Sequence, residues 1–242
     1  MLKSSFEYAI CLATYNGEKY LRDQIDSILC QLTSSDVLFV SDDGSKDSTK
    51  DILSSYGGKL RVVSTERAGG VVRNFERVLQ AAYDSGASYF LLVDQDDVWV
   101  NGRMDLFRAA LSRYDLALLD AEITNENLTK TGRSLFEVNR TGPGFIKNYI
   151  KNGYVGCCMA FRRDVLKVSL PFPPGVVWHD WYIGLIAELM FVPYHRKQTC
   201  LFYRRHGDNL SPTGDKSNNG SITKLILRLR MLFAILVAVI RK

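Results

Sequence analysis

The sequence predicts an α/β protein: a mostly parallel central sheet with helices packed on both faces. Two observations carry that prediction. Short apolar, β-leaning runs alternate with segments whose apolar residues recur at helical spacing, and the intervals leave room only for crossovers. Polar clusters also fall where these runs end, at Thr14-Tyr15-Asn16, Asp42-Asp43 and Asp94-Gln95-Asp96. Open α/β sheets bind ligands just outside the carboxyl ends of their strands. Three such clusters arriving at one rim mark a binding edge.

The elements follow in order. The run "FEYAICLAT" (residues 6–14) is a first strand, broken by the turn signal "YNGE". Leu21, Ile25, Ile28 and Leu29 then form one face of a helix. "VLFVSDD" (37–43) is a second buried strand, followed by "GSKDST" and a helical face of Ile52, Leu53 and Tyr56. "LRVVS" is a third strand. Residues 71–83 form an amphipathic helix through Val72, Phe75, Val78, Leu79 and Ala82, and residues 89–93 a fourth strand. The second half is less regular: "LALLDAEI" and "GCCMAF" read as strands, and "DWYIGLIAEL" as a helix begun by Asp180. The polar stretch 206–221 is long enough for a lid or a linker. The organisation expected is a domain over 1–206, a polar loop over 207–221 and a terminal helix over 222–242.

Composition narrows the function classes. The chain has 242 residues, 46% hydrophobic and 24% charged, which suffices for a real core. Its net charge of +5 resides in Lys224, Arg228, Arg230, Arg241 and Lys242, with no acid after Ile222. The body is therefore formally neutral, and no nucleic-acid partner is expected. Cys11, Cys30, Cys157, Cys158 and Cys200 show no paired spacing and are expected as buried thiols of a reducing compartment. The first residues lack a signal-peptide pattern, so a cytoplasmic location is expected.

The stretch "FLLVDQDDVW" sends an apolar strand into Asp94, Asp96 and Asp97. Two carboxylates about 4 Å apart repel by roughly 4 kcal/mol at an effective dielectric of ~20. On an extended segment Asp94 and Asp96 point the same way and Asp97 the other. Two convergent oxygens suit a hard divalent cation, Mg²⁺ or Mn²⁺. A solvated Asp-rich turn is the competing reading.

The segments "ATYNGEKYLRDQIDSIL", "SDDGSKDST", "GGVVRNFERVL" and "LLVDQDDVWVNGRM", each at a strand-to-helix junction, together resemble the family 2 glycosyltransferases. These are inverting enzymes of the GT-A fold, a Rossmann-like arrangement. The likeness covers roughly residues 6–214. Within that family "DQDDVW", "NGYVGCCMAF", "WHDWYIG" and "YRRHGDNLS" are most similar to bacterial rhamnosyltransferase-type enzymes of surface polysaccharide assembly.

The resemblance implies roles. Thr14, Tyr15 and Asn16 would meet the nucleotide, with the Tyr15 ring against the base and Asp43 accepting from its imide N–H. Arg73 would support the base or phosphates. Asp94 would contact the ribose or the metal, Asp96 would be the principal metal ligand, and His206 would approach the metal or diphosphate. Asp180 would be the general base toward the acceptor hydroxyl, raised in pKa by its apolar neighbours. Capping the following helix is its competing role. Trp178, His179, Trp181, Gly156 and Cys157 would line the acceptor side, His179 standing where the family commonly has an acid. Arg204 and Arg205 are candidate phosphate partners; His195 receives no role. The donor implied is a nucleotide-diphospho-sugar, dTDP-rhamnose first, with UDP-galactose or UDP-glucose as the alternative. The acceptor implied is a polyprenyl-linked glycan.

The tail "ITKLILRLRMLFAILVAVIRK" sets Ile222, Leu225, Ile226 and Leu229 opposite Lys224, Arg228 and Arg230. Its apolar end is too short to cross a bilayer. The pattern fits an in-plane anchor on an anionic membrane, here the inner face of the cytoplasmic membrane. Docking on its own sheet or on a second subunit of a homo-oligomer stays open. A sugar nucleotidyltransferase would want a Gly-rich phosphate loop after the first strand, which "ATYNGEKY" does not supply. A receiver-like phosphate-transfer domain using Asp42-Asp43 leaves "WHDWY" unexplained, and a non-catalytic nucleotide-sugar-binding module is the remaining alternative.

Overall fold

The computed structural model describes residues 7–207, 209 and 220–241. In chain order the elements are β1 (Tyr8–Thr14), α1 (Leu21–Leu29), β2 (Asp36–Asp42), α2 (Thr49–Ser55), β3 (Arg61–Ser64), α3 (Val71–Asp84) and β4 (Tyr89–Val93). There follow β5 (Val98–Trp99), α4 (Arg103–Leu111), β6 (Leu116–Thr124), β7 (Lys130–Ser134), α5 (Leu135–Asn139) and α6 (Phe145–Ile150). The chain continues with β8 (Met159–Arg162), α7 (Arg163–Ser169), α8 (His179–Met190), β9 (Pro193–Arg204) and α9 (Ser221–Ile240). Most of the 207–221 loop and residues 1–6 lie outside the described residues.

One mixed sheet runs in the order β3-β2-β1-β4-β8-β6-β9-β5, with β7 on β6. The first four strands are parallel, whereas β8 is antiparallel to both β4 and β6. All seven residues of β1 are buried, as expected for a strand covered on both faces. Chain order turns from β1 to β2 on one side and reaches β4 on the other. The carboxyl ends of β1 and β4 therefore flank a switch point, where such sheets open a crevice.

Two expectations change in the second half. "GCCMAF" splits: residues 156–158 form a 3₁₀ turn and only Met159 onward is strand, because Gly156 N–H is donated to Asp180 Oδ2 (3.1 Å) rather than to a neighbouring strand. The helix predicted from Asp180 begins one residue earlier, at His179, and no side chain caps it. Of the five cysteines four are buried, but Cys30 is exposed; all are free thiols.

The terminal helix α9 takes one stripe of its surface to the body. Met231, Ala234, Ile235 and Ala238, spaced three and four apart, are buried against α7 and α8. Among the described residues no helix is long and apolar enough to cross a membrane.

Candidate active site

The ends of β1 and β4 are joined by one side chain. Gln95 Oε1 accepts from Thr14 Oγ1 (2.6 Å) and Tyr15 N–H (2.8 Å), and its amide donates to Tyr15 O (3.1 Å). Gly17 closes that corner: a Cβ there would stand 2.5 Å from Gln95 Oε1. Asn16 has φ 47° and is held by Ser45 Oγ on its N–H (2.8 Å) and by Lys46 N–H on its side-chain oxygen (2.9 Å). Buried Asn74 donates to both Thr14 O (3.1 Å) and Ser41 O (2.9 Å), tying α3 to the ends of β1 and β2. The rim is thus rigid, while the Tyr15 ring is 52% exposed and free to meet a flat ligand.

A cavity of about 1930 Å³ opens on this rim. It gathers Thr14, Tyr15, Asn16, Asp43, Asp94, Asp96, Gly156, Trp178, His179, Asp180, Trp181 and His206. Cys157 lies just beneath. Arg73 is not among the lining residues; it faces a separate depression of about 1120 Å³ beside Glu76 and the 172–176 segment. Helical geometry gives the reason: Asn74 and Phe75 turn inward on α3, so Arg73, one to two residues earlier, is rotated off that face. Lys46 and Arg67 supply the cations on this side of the cavity instead. The Asp43 carboxylate accepts from the N–H groups of Ala68, Gly69 (2.9 Å) and Gly70 (2.8 Å). Burial pushes its pKa up, but those donors prevail and hold it below the usual carboxylate value.

The acidic stretch is not extended. Residues 95 and 96 bend, so the alternation expected for Asp94, Asp96 and Asp97 fails: oxygens of Asp94 and Asp97 and the Cys157 sulfur all lie within 4.8 Å of one another. Asp97 is fully buried; burial first, then the charges of Asp96 and Asp94, push its pKa well above the ordinary carboxylate value. The buried Cys157 thiol is likewise well above its ordinary value: a hydrogen bond with Cys158 pulls it down, but burial and the charges of Asp97 and Asp94 prevail. It serves as a hydrogen-bond donor to these carboxyl groups, not as a nucleophile.

At the cavity surface, Asp94 is raised to about 7 by burial and by the charges of Asp96 and Asp180. Asp96 Oδ2 sits 2.8 Å from His206 Nε2 and 3.2 Å from Asn209 Nδ2. Among the described residues no backbone N–H and no cation serves the Asp94 carboxylate, in contrast to Asp43. Carboxylates with open lone pairs beside an imidazole fit a hard divalent cation.

Arg204 is not available to a phosphate. Its guanidinium donates to Asp96 O (2.9 Å), Glu126 O (2.9 Å) and Asp23 Oδ2 (2.9 Å) and lies over the Tyr20 ring. It is a brace beneath the acidic loop.

Asp180, on the first turn of α8, accepts from Gly156 N–H (3.1 Å) and from Trp181 N–H (2.6 Å). Burial raises its pKa to about 6 against those donors. His179 is stacked on Phe75 (3.8 Å between centroids), and neither of its ring nitrogens has a hydrogen-bond partner among the described residues. Burial lowers its pKa to about 3. The Trp181 indole donates to Asn148 O (2.8 Å), fixing it as a wall beside Asp180.

Sequence reasoning missed Gln95 and Asn74, and left open whether α9 docks on the body. Gln95 stood in plain view between two aspartates; a residue able both to donate and to accept, at a strand end, was the available signal.

Comparison with known proteins bears on the family and the fold. The chain is 26% identical over 215 residues to dTDP-rhamnosyl transferase RfbG of Shigella flexneri, covering 82% of this chain and 72% of that one. It is 24% identical over 180 residues to the UDP-Glc:alpha-D-GlcNAc-diphosphoundecaprenol beta-1,3-glucosyltransferase WfgD of Escherichia coli, covering 73% and 68%. The fold matches the crystal structure of S. aureus TarS 1-349 in complex with UDP-GlcNAc with a TM-score of 0.68 at 17% identity, over 96% of this chain and 66% of that one. Similar TarS chains are covered to only 60%. The architecture is the GT-A fold. With the model described as "Glycosyl transferase family 2" matching residues 9–170, two thirds of its length, the chain belongs to glycosyl transferase family 2.

Proposed function

We propose that the protein is an inverting glycosyltransferase that moves a sugar from a nucleotide-diphospho-sugar to a hydroxyl of a lipid-linked bacterial surface glycan. One observation carries the reading: a metal-competent acidic pair at the β1/β4 switch point and a buried carboxylate, Asp180, share one cavity. The resemblance to RfbG favours dTDP-rhamnose as donor. A UDP-hexose is the second reading, favoured by WfgD, whose name specifies UDP-Glc, and by the UDP-GlcNAc complex of TarS.

The residues divide the work. Tyr15 offers its ring face to the base, and Asp43 offers a carboxylate oxygen to the base edge while holding the 68–70 loop. Lys46 and Arg67 complement the phosphates. Asp96, Asp94 and His206 would hold Mn²⁺ or Mg²⁺, which when bound supplies charge neutralisation for the departing nucleoside diphosphate. Asp180 takes the proton from the acceptor hydroxyl, with the fixed Trp181 wall excluding water. Its pKa of about 6 leaves it ionised at neutral pH yet a better base than a solvated aspartate. Neutral His179, stacked on Phe75 with both ring nitrogens buried, shapes the acceptor side of the cavity. The exposed apolar face of α9 rests on the inner face of the cytoplasmic membrane, where a polyprenyl-linked acceptor resides.

The test is a donor panel (dTDP-rhamnose, UDP-glucose, UDP-galactose) assayed for transfer with a polyprenyl-linked glycan extract, with and without Mn²⁺. One donor is expected to give ion-dependent transfer. Loss of ion dependence, or retention of activity in Asp96→Ala, overturns the reading.

A further inference from the structure

The terminal helix turns Lys224 and Arg228 toward the large cavity, while Arg230 lines the separate depression beside Gly175. Continued toward the N-terminus by whole turns, the buried stripe of Met231, Ala234, Ile235 and Ala238 passes through Lys224, Leu227 and Arg228. All three line the large cavity. The opposite face, through Leu225, Leu229, Leu232, Phe233 and Leu236, is exposed and wholly apolar. Cations opposite an apolar face fit an in-plane anchor; here two of those cations also face into the cavity.

Lys151, just after α6, joins Lys224 and Arg228 on the same wall. The two elements are tied there: Arg228 donates to Ile150 O (2.5 Å), and Tyr149 OH donates to Arg228 O (3.0 Å). Neither Lys151 nor Lys224 has a carboxylate partner among the described residues. Of the cations lining the cavity, Lys19 is paired with Glu126; the others form two stations, Lys46 and Arg67 beside Asp43, and the group from α6 and α9. A nucleotide-sugar donor carries one diphosphate and needs one station. Depth also agrees. An in-plane helix sinks its apolar face roughly 5–10 Å into the interface, and its opposite face lies about 10 Å higher, near the level of the lipid phosphates.

We propose that Lys224 and Arg228, with Lys151, bind the diphosphate of a prenyl-diphosphate-linked acceptor, whose hydrocarbon chain passes over the outer face of α9 into the bilayer. The assignment of that ligand as acceptor rests on the transferase reading; the site itself does not.

The test titrates geranyl diphosphate into the full chain by calorimetry, in the presence and absence of UDP with Mn²⁺, and compares geraniol and inorganic diphosphate. Wild type is expected to bind geranyl diphosphate alongside UDP. Lys224→Gln should weaken that binding about tenfold, the loss of one charge-assisted contact, and Lys224→Arg should restore it. Geraniol and inorganic diphosphate should each bind more weakly, since each lacks half of the ligand. Binding to phosphatidylglycerol vesicles should survive Lys224→Gln and be lost in the double variant Leu229→Gln/Phe233→Gln. Three results overturn the proposal: unchanged geranyl diphosphate affinity in Lys224→Gln, displacement of geranyl diphosphate by UDP with Mn²⁺, or vesicle binding that falls with Lys224→Gln while ligand affinity does not. Lys224-dependent binding in a protein that binds no UDP supports the site and removes the transferase reading instead.

Discussion

At the scale of single residues, the site depends on buried groups whose protonation is set by their surroundings. Asp180 carries the clearest consequence. A base must be ionised to accept a proton, so kcat should rise about tenfold per pH unit up to about 6 and then level. Asp180→Asn should lower kcat by roughly 10²–10⁴-fold and abolish that acid limb, with nucleotide affinity little changed; an unaltered pH profile in the variant would show the limb belongs to another group. His179 makes the opposite kind of statement. Burial depresses its folded pKa to about 3, below the unfolded value of 6.5. The unfolded state therefore binds more protons between these values, and the stability present above pH 6.5 is lost as pH falls toward 3. His179→Phe, which keeps the ring against Phe75, should remove a handicap of about 2 kcal/mol at pH 5, raising the melting temperature there more than at pH 8. The motif residues Asp94, Asp96 and Asp180 were legible in the sequence as types at a spacing. The shift in pKa was legible only for Asp180, from its tryptophan neighbours; the buried Asp97–Cys157 pair was not, because its partners are 60 residues apart in the chain.

At the scale of elements, legibility followed burial on both faces. β1, β2 and β4 are continuous apolar runs, and their bounds fell within a residue or two of expectation. The segment 156–161 failed because Gly156 bonds to Asp180 on α8 and Cys158 closes a 3₁₀ turn onto Val155, in place of a strand ladder. α8 itself shows what periodicity omits. It is apolar all round, and at Gly184 it lets the Tyr154 ring lie directly on its backbone; a Cβ there would come within 2.4 Å of the ring. Tyr154 in turn donates to Glu188 (3.0 Å), which also accepts from Gly144 N–H and Asn148, so one contact plane fixes α6 against the helix that bears Asp180. Gly184→Ala should cost about 1–3 kcal/mol as an overpacked core contact, seen as a melting temperature lowered by about 2–4 °C per kcal/mol. It should also lower kcat more than it raises KM for the nucleotide sugar, because α8 moves and the β1/β4 rim does not. An equal loss on both would mean that the rim and α8 do not act as separate bodies. α9 was foreseen as basic and amphipathic, yet which face turns inward depends on α7 and α8, and no window of its own sequence holds that information.

At the scale of the whole molecule, the acidic rim makes sense only with the topology around it. The parallel half of the sheet brings the ends of β1 and β4 together at a switch point, and Gln95 locks them. The antiparallel β8 then places Gly156 and, through it, Asp180 across the same cavity. Like charge is collected there at a cost that protonation of Asp94, whose pKa is raised to about 7, relieves in part, at the expense of the very lone pairs a ligand would use. A cation and a diphosphate relieve it better together than either alone, since each supplies the charge that the other needs. Mn²⁺ alone and UDP alone should therefore raise the melting temperature only slightly, and the two together by more than the sum. At a hundredfold excess over Kd the coupled ligands contribute about 2.7 kcal/mol, or roughly 5–10 °C for a chain of this size. Asp96→Ala should abolish the excess and leave the small UDP shift, because Tyr15 and Asp43 stand on the β1–β2 side of the rim. A UDP shift of full size in the presence of a chelator would mean that the carboxylates at the end of β4 serve the fold and not the ligand.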